Sequence, residues 1–283
     1  MNFLRYTVAG STPQWGVRDD GQIYSLSDRP GDEPTLSDIG TKGYRRHVRE
    51  ALGAGALTAV EEPASLLAPI DRPGKIVCVG LNYRDHAEEQ GTELPERPLL
   101  FTKAPSAVTN PGDPIVHPAA VEQVDYEVEL GVVMGTTAKS LEPAEVRDHV
   151  AGYTAINDVS ARDAQSRDDQ LFRAKSYDTF APMGPTLLAS EDFEPNGVDV
   201  ACRLNGATKQ SSNTEQFVFG VEELVSYISD VMTLEPGDVI STGTPGGVGI
   251  FRDPPELMAP GDVVEVEIEG VGVLGNPVVA EAG

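Results

Sequence analysis

Apolar and polar positions change over in short runs along most of the chain, and long helical periodicities are few. Residues 15–17 and 22–26 flank Asp19-Asp20-Gly21, which predicts a hairpin. Residues 37–52 predict one helix, stopped by Gly53. A proline-rich stretch, Ala68-Pro69-Ile70-Asp71-Arg72-Pro73-Gly74, then marks a boundary between a small N-terminal domain, residues 1–71, and a larger one, residues 72–283. Beyond it, strands are expected at 75–79, 99–103, 126–134, 153–157, 198–204, 238–241 and 263–268, with a short helix or loop at 82–90. Helices are expected at 143–150, with Pro143 in its first turn, and at 221–232, where Val221, Leu224, Val225, Ile228 and Met232 share a face. Strands outnumber helices and do not alternate with them. The pattern therefore predicts a β-rich α+β architecture and not a doubly wound sheet.

Charge narrows the partners. Forty-five acidic residues face 21 basic ones, a formal net charge of −24 spread along the chain. That opposes nucleic acid and an anionic membrane surface alike. Such a surface repels itself at low salt and is a halophile device; an ordinary acidic cytosolic protein is the other reading. No apolar run reaches transmembrane length and the first residues do not read as a signal peptide, so a soluble cytoplasmic protein is expected. Cys78 and Cys202 lack metal-type spacing and read as buried thiols.

Several constellations carry candidate chemistry. In Asp125-Tyr126-Glu127-Val128-Glu129-Leu130 the alternation puts Glu127 and Glu129 on one strand face, about 7 Å apart along the chain. Two carboxylates and a third oxygen donor suit Mg²⁺. Glu265, Glu267 and Glu269 alternate in the same way after a turn, and there the pattern reads as a solvated face. The first strand differs because Gly131-Val132-Val133-Met134 continues it as an apolar run. Asp158, after a short apolar strand, is a helix cap or a third metal carboxylate. Arg162, one turn on, is an ion-pair partner of Asp158 or an anion-binding group. Lys175 is a solvated charge, or a group that stabilises negative charge developing in a reaction. The loop Gly243-Thr244-Pro245-Gly246-Gly247 lacks the features of a nucleotide loop; it is a tight turn or a backbone cradle for a carboxylate. His86 and Glu89, three apart, share a face if helical, and a carboxylate beside an imidazole makes it a better base.

The order GLNYRDH, DYEVEL, NDVSARD, AKSYDTFAP and TLEPGDVISTGTPGGVG closely resembles the fumarylacetoacetate hydrolase family over residues 72–280. The resemblance implies a mixed β-sandwich roll as catalytic domain, a smaller variable N-terminal domain and a homodimer. It places the metal ligands on Glu127, Glu129 and Asp158, for Mg²⁺ (or Mn²⁺). It matches the family lysine to Lys175, the pair of a mobile lid to His86 and Glu89, and substrate contacts to Arg162, Thr244, Gly243 and Gly246. The implied substrate is a small 2-oxo acid. Three outcomes share one enolate: hydrolysis of a C–C bond in an acylpyruvate or fumarylacetoacetate type of 2,4-dioxo acid, decarboxylation, and isomerisation as in aromatic catabolism. The His86–Glu89 pair favours hydrolysis. A non-catalytic oxo-acid binder is the alternative of another class, and it is disfavoured because none of the functional positions is missing.

Overall fold

Glycines and prolines cut the apolar runs before helices can propagate, and the result is a molecule of strands. The computed structural model describes residues 1–8, 11–27, 33–61 and 65–283. Its large sheet has eleven strands. In spatial order these are β3 (Gln22–Ser25), β2 (Gln14–Asp19), β1 (Asn2–Thr7), β13 (Ala181–Ala189), β11 (Val150–Asn157), β10 (Val128–Met134), β16 (Val239–Ser241), β5 (Ile76–Gly80) and β6 (Leu99–Lys103). β4 (Ser65–Leu67) pairs with β1, and β7 (Val108–Thr109) with β13. A second sheet runs β15 (Ala207–Asn213), β14 (Asp199–Leu204), β17 (Val263–Ile268), β18 (Gly272–Ala280), β8 (Ile115–His117). β9 (Val124–Asp125) pairs with β12 (Ser160–Ala161).

β14, β17 and β18 pack on β10, β11 and β13, so the second sheet covers one face of the first. On the other face Phe3 of β1 and Trp15 and Val17 of β2 join one apolar cluster with Ile39 and Val48, which follow those strands in the N-terminal segment. Every residue of β10, β11 and β13 is buried as a result. Strands covered on both faces read as continuous apolar runs, which is why β10 stood out from the acidic strand β17. The boundary expected at residue 71 falls between β4 and β5. Across it the large sheet is continuous, because β1 pairs with β13.

Seven α-helices lie among the described residues: α1 (Leu36–Ile39), α2 (Lys42–Gly53), α3 (Arg84–Gln90), α4 (Val146–His149), α5 (Arg162–Arg167), α6 (Phe172–Lys175) and α7 (Val221–Val231). The architecture is the β-rich α+β class expected. Some bounds differ. The single helix at 37–52 is two, parted at Gly40, which packs so close to Gly135 that a Cβ would sit 2.8 Å from its Cα. Thr41 then starts α2 afresh, accepting a hydrogen bond from the Tyr44 N–H on its side chain. The helix at 143–150 is a 3₁₀ turn followed by one turn of α4, and Val150 already belongs to β11. The strand expected from 126 begins at Val128, with Glu127 just ahead of it. Among the described residues no helix is long and apolar enough to cross a membrane.

Candidate active site

An antiparallel register builds the centre. β10 and β11 pair Val128 with Asn157, so the next residue outward on each strand, Glu127 and Asp158, face each other at the sheet's end. The Asp158 N–H donates to the Glu127 carbonyl at 2.9 Å, and the Glu127 N–H to Asn157 Oδ1 at 3.0 Å. Glu129, two residues into β10, completes a cluster in which ligand oxygens of all three carboxylates lie within 4.8 Å of one another. All three are buried, at 5%, 1% and 0% exposure for Glu127, Glu129 and Asp158. Asp158 caps no helix, since β12 intervenes and α5 begins only at Arg162. On β17, by contrast, Glu265 and Glu267 stay half-buried, and Glu267 pairs with Arg203.

Three buried cations surround the cluster. Lys175, the last residue of α6, places Nζ 2.7 Å from both Glu127 Oε2 and Asp158 Oδ2. Lys103, at the end of β6, donates to Asp158 Oδ1 and, at 3.1 Å, to the Val159 carbonyl. Arg162 does not pair with Asp158. Its Nη2 reaches Glu127 Oε1 at 2.6 Å and its Nε reaches Asp125 Oδ2 at 2.9 Å, because residues 158–162 form no helical turn. Burial disfavours the charged forms of Glu127 and Lys175. Their mutual attraction, with Arg162 aiding Glu127 and Asp158 aiding Lys175, outweighs it: the Glu127 carboxyl lies well below and the Lys175 ammonium well above its ordinary range.

Glu129 is the odd member. Its carboxylate accepts from Ser241 Oγ at 2.5 Å and from the Gly243 N–H at 2.9 Å, both neutral donors. Burial, then the charges of Asp158 and Glu127, push its carboxyl far above the usual range. Three hard oxygen donors, one of them without a cation beside it, fit a divalent ion.

Glu127, Glu129, Lys175, Arg162, His86 and Thr244 line a cavity of about 590 Å³. α3 carries His86 into it. His86 Nδ1 lies 3.2 Å from Glu89 Oε2, and His86 Nε2 lies 2.7 Å from Gln90 Nε2. An amide nitrogen only donates, so the Nε2 lone pair accepts from Gln90, itself a lining residue of the cavity, and the Nδ1 proton points to Glu89. Burial raises the Glu89 carboxyl, but the hydrogen bonds from His86 and the Gly247 N–H more than offset this and leave it below its ordinary range. The loop after β16 is engaged by the protein itself. Its N–H groups at Gly243, Gly246 and Gly247 donate to Glu129, Asp85 and Glu89, and Thr244 Oγ1 accepts from Gln210 at 2.8 Å. Gly243 and Gly246 thus stand behind the cavity wall, and Thr244 forms part of it. Gly243, at φ +100, also leaves no room for a side chain, since a Cβ would lie 2.8 Å from Asn82 Cβ.

Sequence patterns did not single out Lys103, Asp125, Ser241 or Gln210. Lys103 carried one usable signal, a scarce lysine closing an apolar strand. Asp125 precedes Glu127 by two residues and shares its alternation.

The fold and this centre define a class: β-rich α+β proteins with a buried, cation-competent carboxylate triad at the base of a cavity. Residues 75–279 match the family described as fumarylacetoacetate (FAA) hydrolase C-terminal, and the chain belongs to that family. It is 45% identical over 235 residues to an oxaloacetate tautomerase, mitochondrial, of Bos taurus, covering 82% of this chain and 75% of that one. An uncharacterised protein of Methanocaldococcus jannaschii is 51% identical over 205 residues, 72% of this chain and 83% of its own. Among solved structures, the fumarylacetoacetate hydrolase of Exiguobacterium antarcticum is 39% identical with a TM-score of 0.89, covering 99% of this chain and 100% of that one. A 2-hydroxyhepta-2,4-diene-1,7-dioate isomerase of Mycobacterium marinum is 33% identical with a TM-score of 0.78, each chain covered in full at 100%.

Proposed function

We propose that the protein is an isomerase that interconverts enol and keto forms of a small 2-oxo dicarboxylic acid of the oxaloacetate type, with Mg²⁺ or Mn²⁺ at Glu127, Glu129 and Asp158. The observation that carries this is one cavity lined by Glu127 and Glu129 of the triad, by Lys175, and by a His86 whose Nε2 is held by the neighbouring Gln90 amide. The name borne by the Bos taurus relative supplies the substrate type. A divalent ion, when bound, supplies Lewis-acid polarisation of the substrate's oxygens. The chain does the rest. Lys175 stabilises negative charge developing on the keto oxygen. Once Gln90 turns aside, His86 Nε2 takes or returns the proton at the carbon next to the keto group, and Glu89 holds the ring in that tautomer and steadies its positive charge. Arg162 and Thr244 meet the carboxylates of the acid.

The His86–Glu89 pair also favours a second reading. If it activates a water, the same enolate arises by C–C hydrolysis of a 2,4-dioxo acid, the chemistry in the name of the Exiguobacterium protein. Turnover of enol-oxaloacetate, oxaloacetate, an acylpyruvate and fumarylacetoacetate, each with Mg²⁺ and with excess chelator, decides between them. Faster enol decay without product cleavage is the expected result. Cleavage of the acylpyruvate alone would replace isomerase by hydrolase, and full activity in chelator would remove the metal from the mechanism. The homodimer belongs to the same proposal and is checked by light scattering.

A further inference from the structure

We propose that Asp125 is a positioning residue of the cavity, one that holds the Arg162 guanidinium and the Gly249–Phe251 turn in a single frame. This rests on reading the cavity as the active site. Asp125 is fully buried, at 0% exposure, and does not line the cavity itself. Its carboxylate accepts from Arg162 Nε at 2.9 Å, from the Gly249 N–H at 2.9 Å, from the Ile250 N–H at 3.0 Å and from the Tyr126 N–H at 2.9 Å. Four donors use the whole accepting capacity of an ionised carboxylate.

What those donors belong to gives the contact its meaning. Arg162 continues to Glu127 Oε1 and to Gln165, on the triad's side of the cavity. The turn Gly249–Phe251 also supplies Ile250 and Phe251 to the cavity wall, and the Phe251 ring meets the His86 ring edge-on at 6.0 Å between centroids. Asp125 therefore sits where the metal-ligand side and the histidine side are tied together. The approach is close enough to need glycine: a Cβ on Gly249 would lie 2.4 Å from Asp125 Oδ1. A carboxylate is required chemically, because an amide in its place keeps one acceptor oxygen and leaves Arg162 without its counter-charge.

The test uses the full chain loaded with Mn²⁺, oxalate as the oxo-acid mimic, and steady-state turnover of oxaloacetate. Asp125→Asn is expected to weaken oxalate binding and raise KM by about tenfold, with kcat held within about threefold, since the displaced groups bind and do not react. A merely structural role would lower the melting temperature and the active fraction with oxalate affinity and KM unchanged, and that result overturns the proposal. Phe251 is 46% exposed, so Phe251→Ala is expected to fold. It should weaken oxalate as well, and the double variant should bind no worse than the weaker single one; effects that multiply overturn the coupling. Should Asp125→Asn not fold, amide exchange on the wild type decides. Oxalate should slow exchange at Gly249 and Ile250, and unchanged exchange there overturns the proposal. If the wild type binds oxalate but turns over no oxo acid, the functional reading fails and the binding comparison still tests Asp125. If Asp125→Asn matches the wild type in a working enzyme, the positioning role fails and the function stands.

Discussion

Lys175→Met separates the lysine's electrostatic role from the metal's. The ammonium is 3% exposed and lies 2.7 Å from one oxygen of Glu127 and one of Asp158, so its removal strips a buried partner from two buried carboxylates. Breaking a buried pair from one side costs about 3–5 kcal/mol. Here the lower end is expected, because Arg162 still holds Glu127 and Lys103 still holds Asp158. At about 2 °C per kcal/mol for a chain of this size, the metal-free variant should melt roughly 6 °C below the wild type. Mg²⁺ should then restore more stability to the variant than to the wild type, since a cation at about 100 times its Kd returns about 2.7 kcal/mol and the ammonium no longer competes for those oxygens. Turnover should nevertheless fall by about 10²–10³-fold, the usual worth of one preorganised charge at a developing anion. Calorimetric melting with and without Mg²⁺, alongside steady-state rates, reads all of this. A variant that binds Mg²⁺ more weakly than wild type, or that keeps its turnover, refutes the reasoning.

His86→Ala should cost the proton-transfer reaction about 10²–10⁴-fold in kcat, while decarboxylation of oxaloacetate, which needs no base, should survive far better; equal loss of both would make His86 a binding group only. The acidic surface, at a net charge of −24, should make the melting temperature climb between low and molar salt as self-repulsion is screened, and a flat or falling curve would assign the acidity to an ordinary mesophile.

Much of the fold is local and could be read locally. The hairpin of β2 and β3, the apolar face of α7 and the strands β5, β6, β14 and β17 all appear as periodicity or as short apolar runs between turn residues. β13 does not, because Pro182, Gly184 and Pro185 read as breakers. In the sheet Pro185 falls in the stretch where the β11–β13 register shifts between Tyr153 and Ala155, so its missing N–H interrupts no regular ladder. β18 was hidden in the same way by Gly275 and Pro277. The order of the strands is not a local property at all, and neither is the docking of β1 against β13, which makes the N-terminal segment an edge of the main sheet.

The site divides along a similar line. Alternating glutamates look alike on β10 and β17, and only burial on both faces separates them. Motif order added what alternation lacked and placed Glu127, Glu129, Asp158 and Lys175 together, but it could not supply the charge balance of the cluster they form. Four buried carboxyl groups, Asp125, Glu127, Glu129 and Asp158, meet three buried cations, Lys103, Lys175 and Arg162, so the charges balance only while Glu129 keeps its proton. An ionised Glu129 would be a buried charge without a partner, which a neutral hydroxyl and an N–H would not cancel. A divalent ion that displaces the Glu129 proton leaves an excess of one positive charge, which a carboxylate ligand then neutralises. The cluster's own charge thus argues for a cation and an organic anion bound together, and of the elements that set this balance β6 lies far along the chain from the neighbouring α5 and α6.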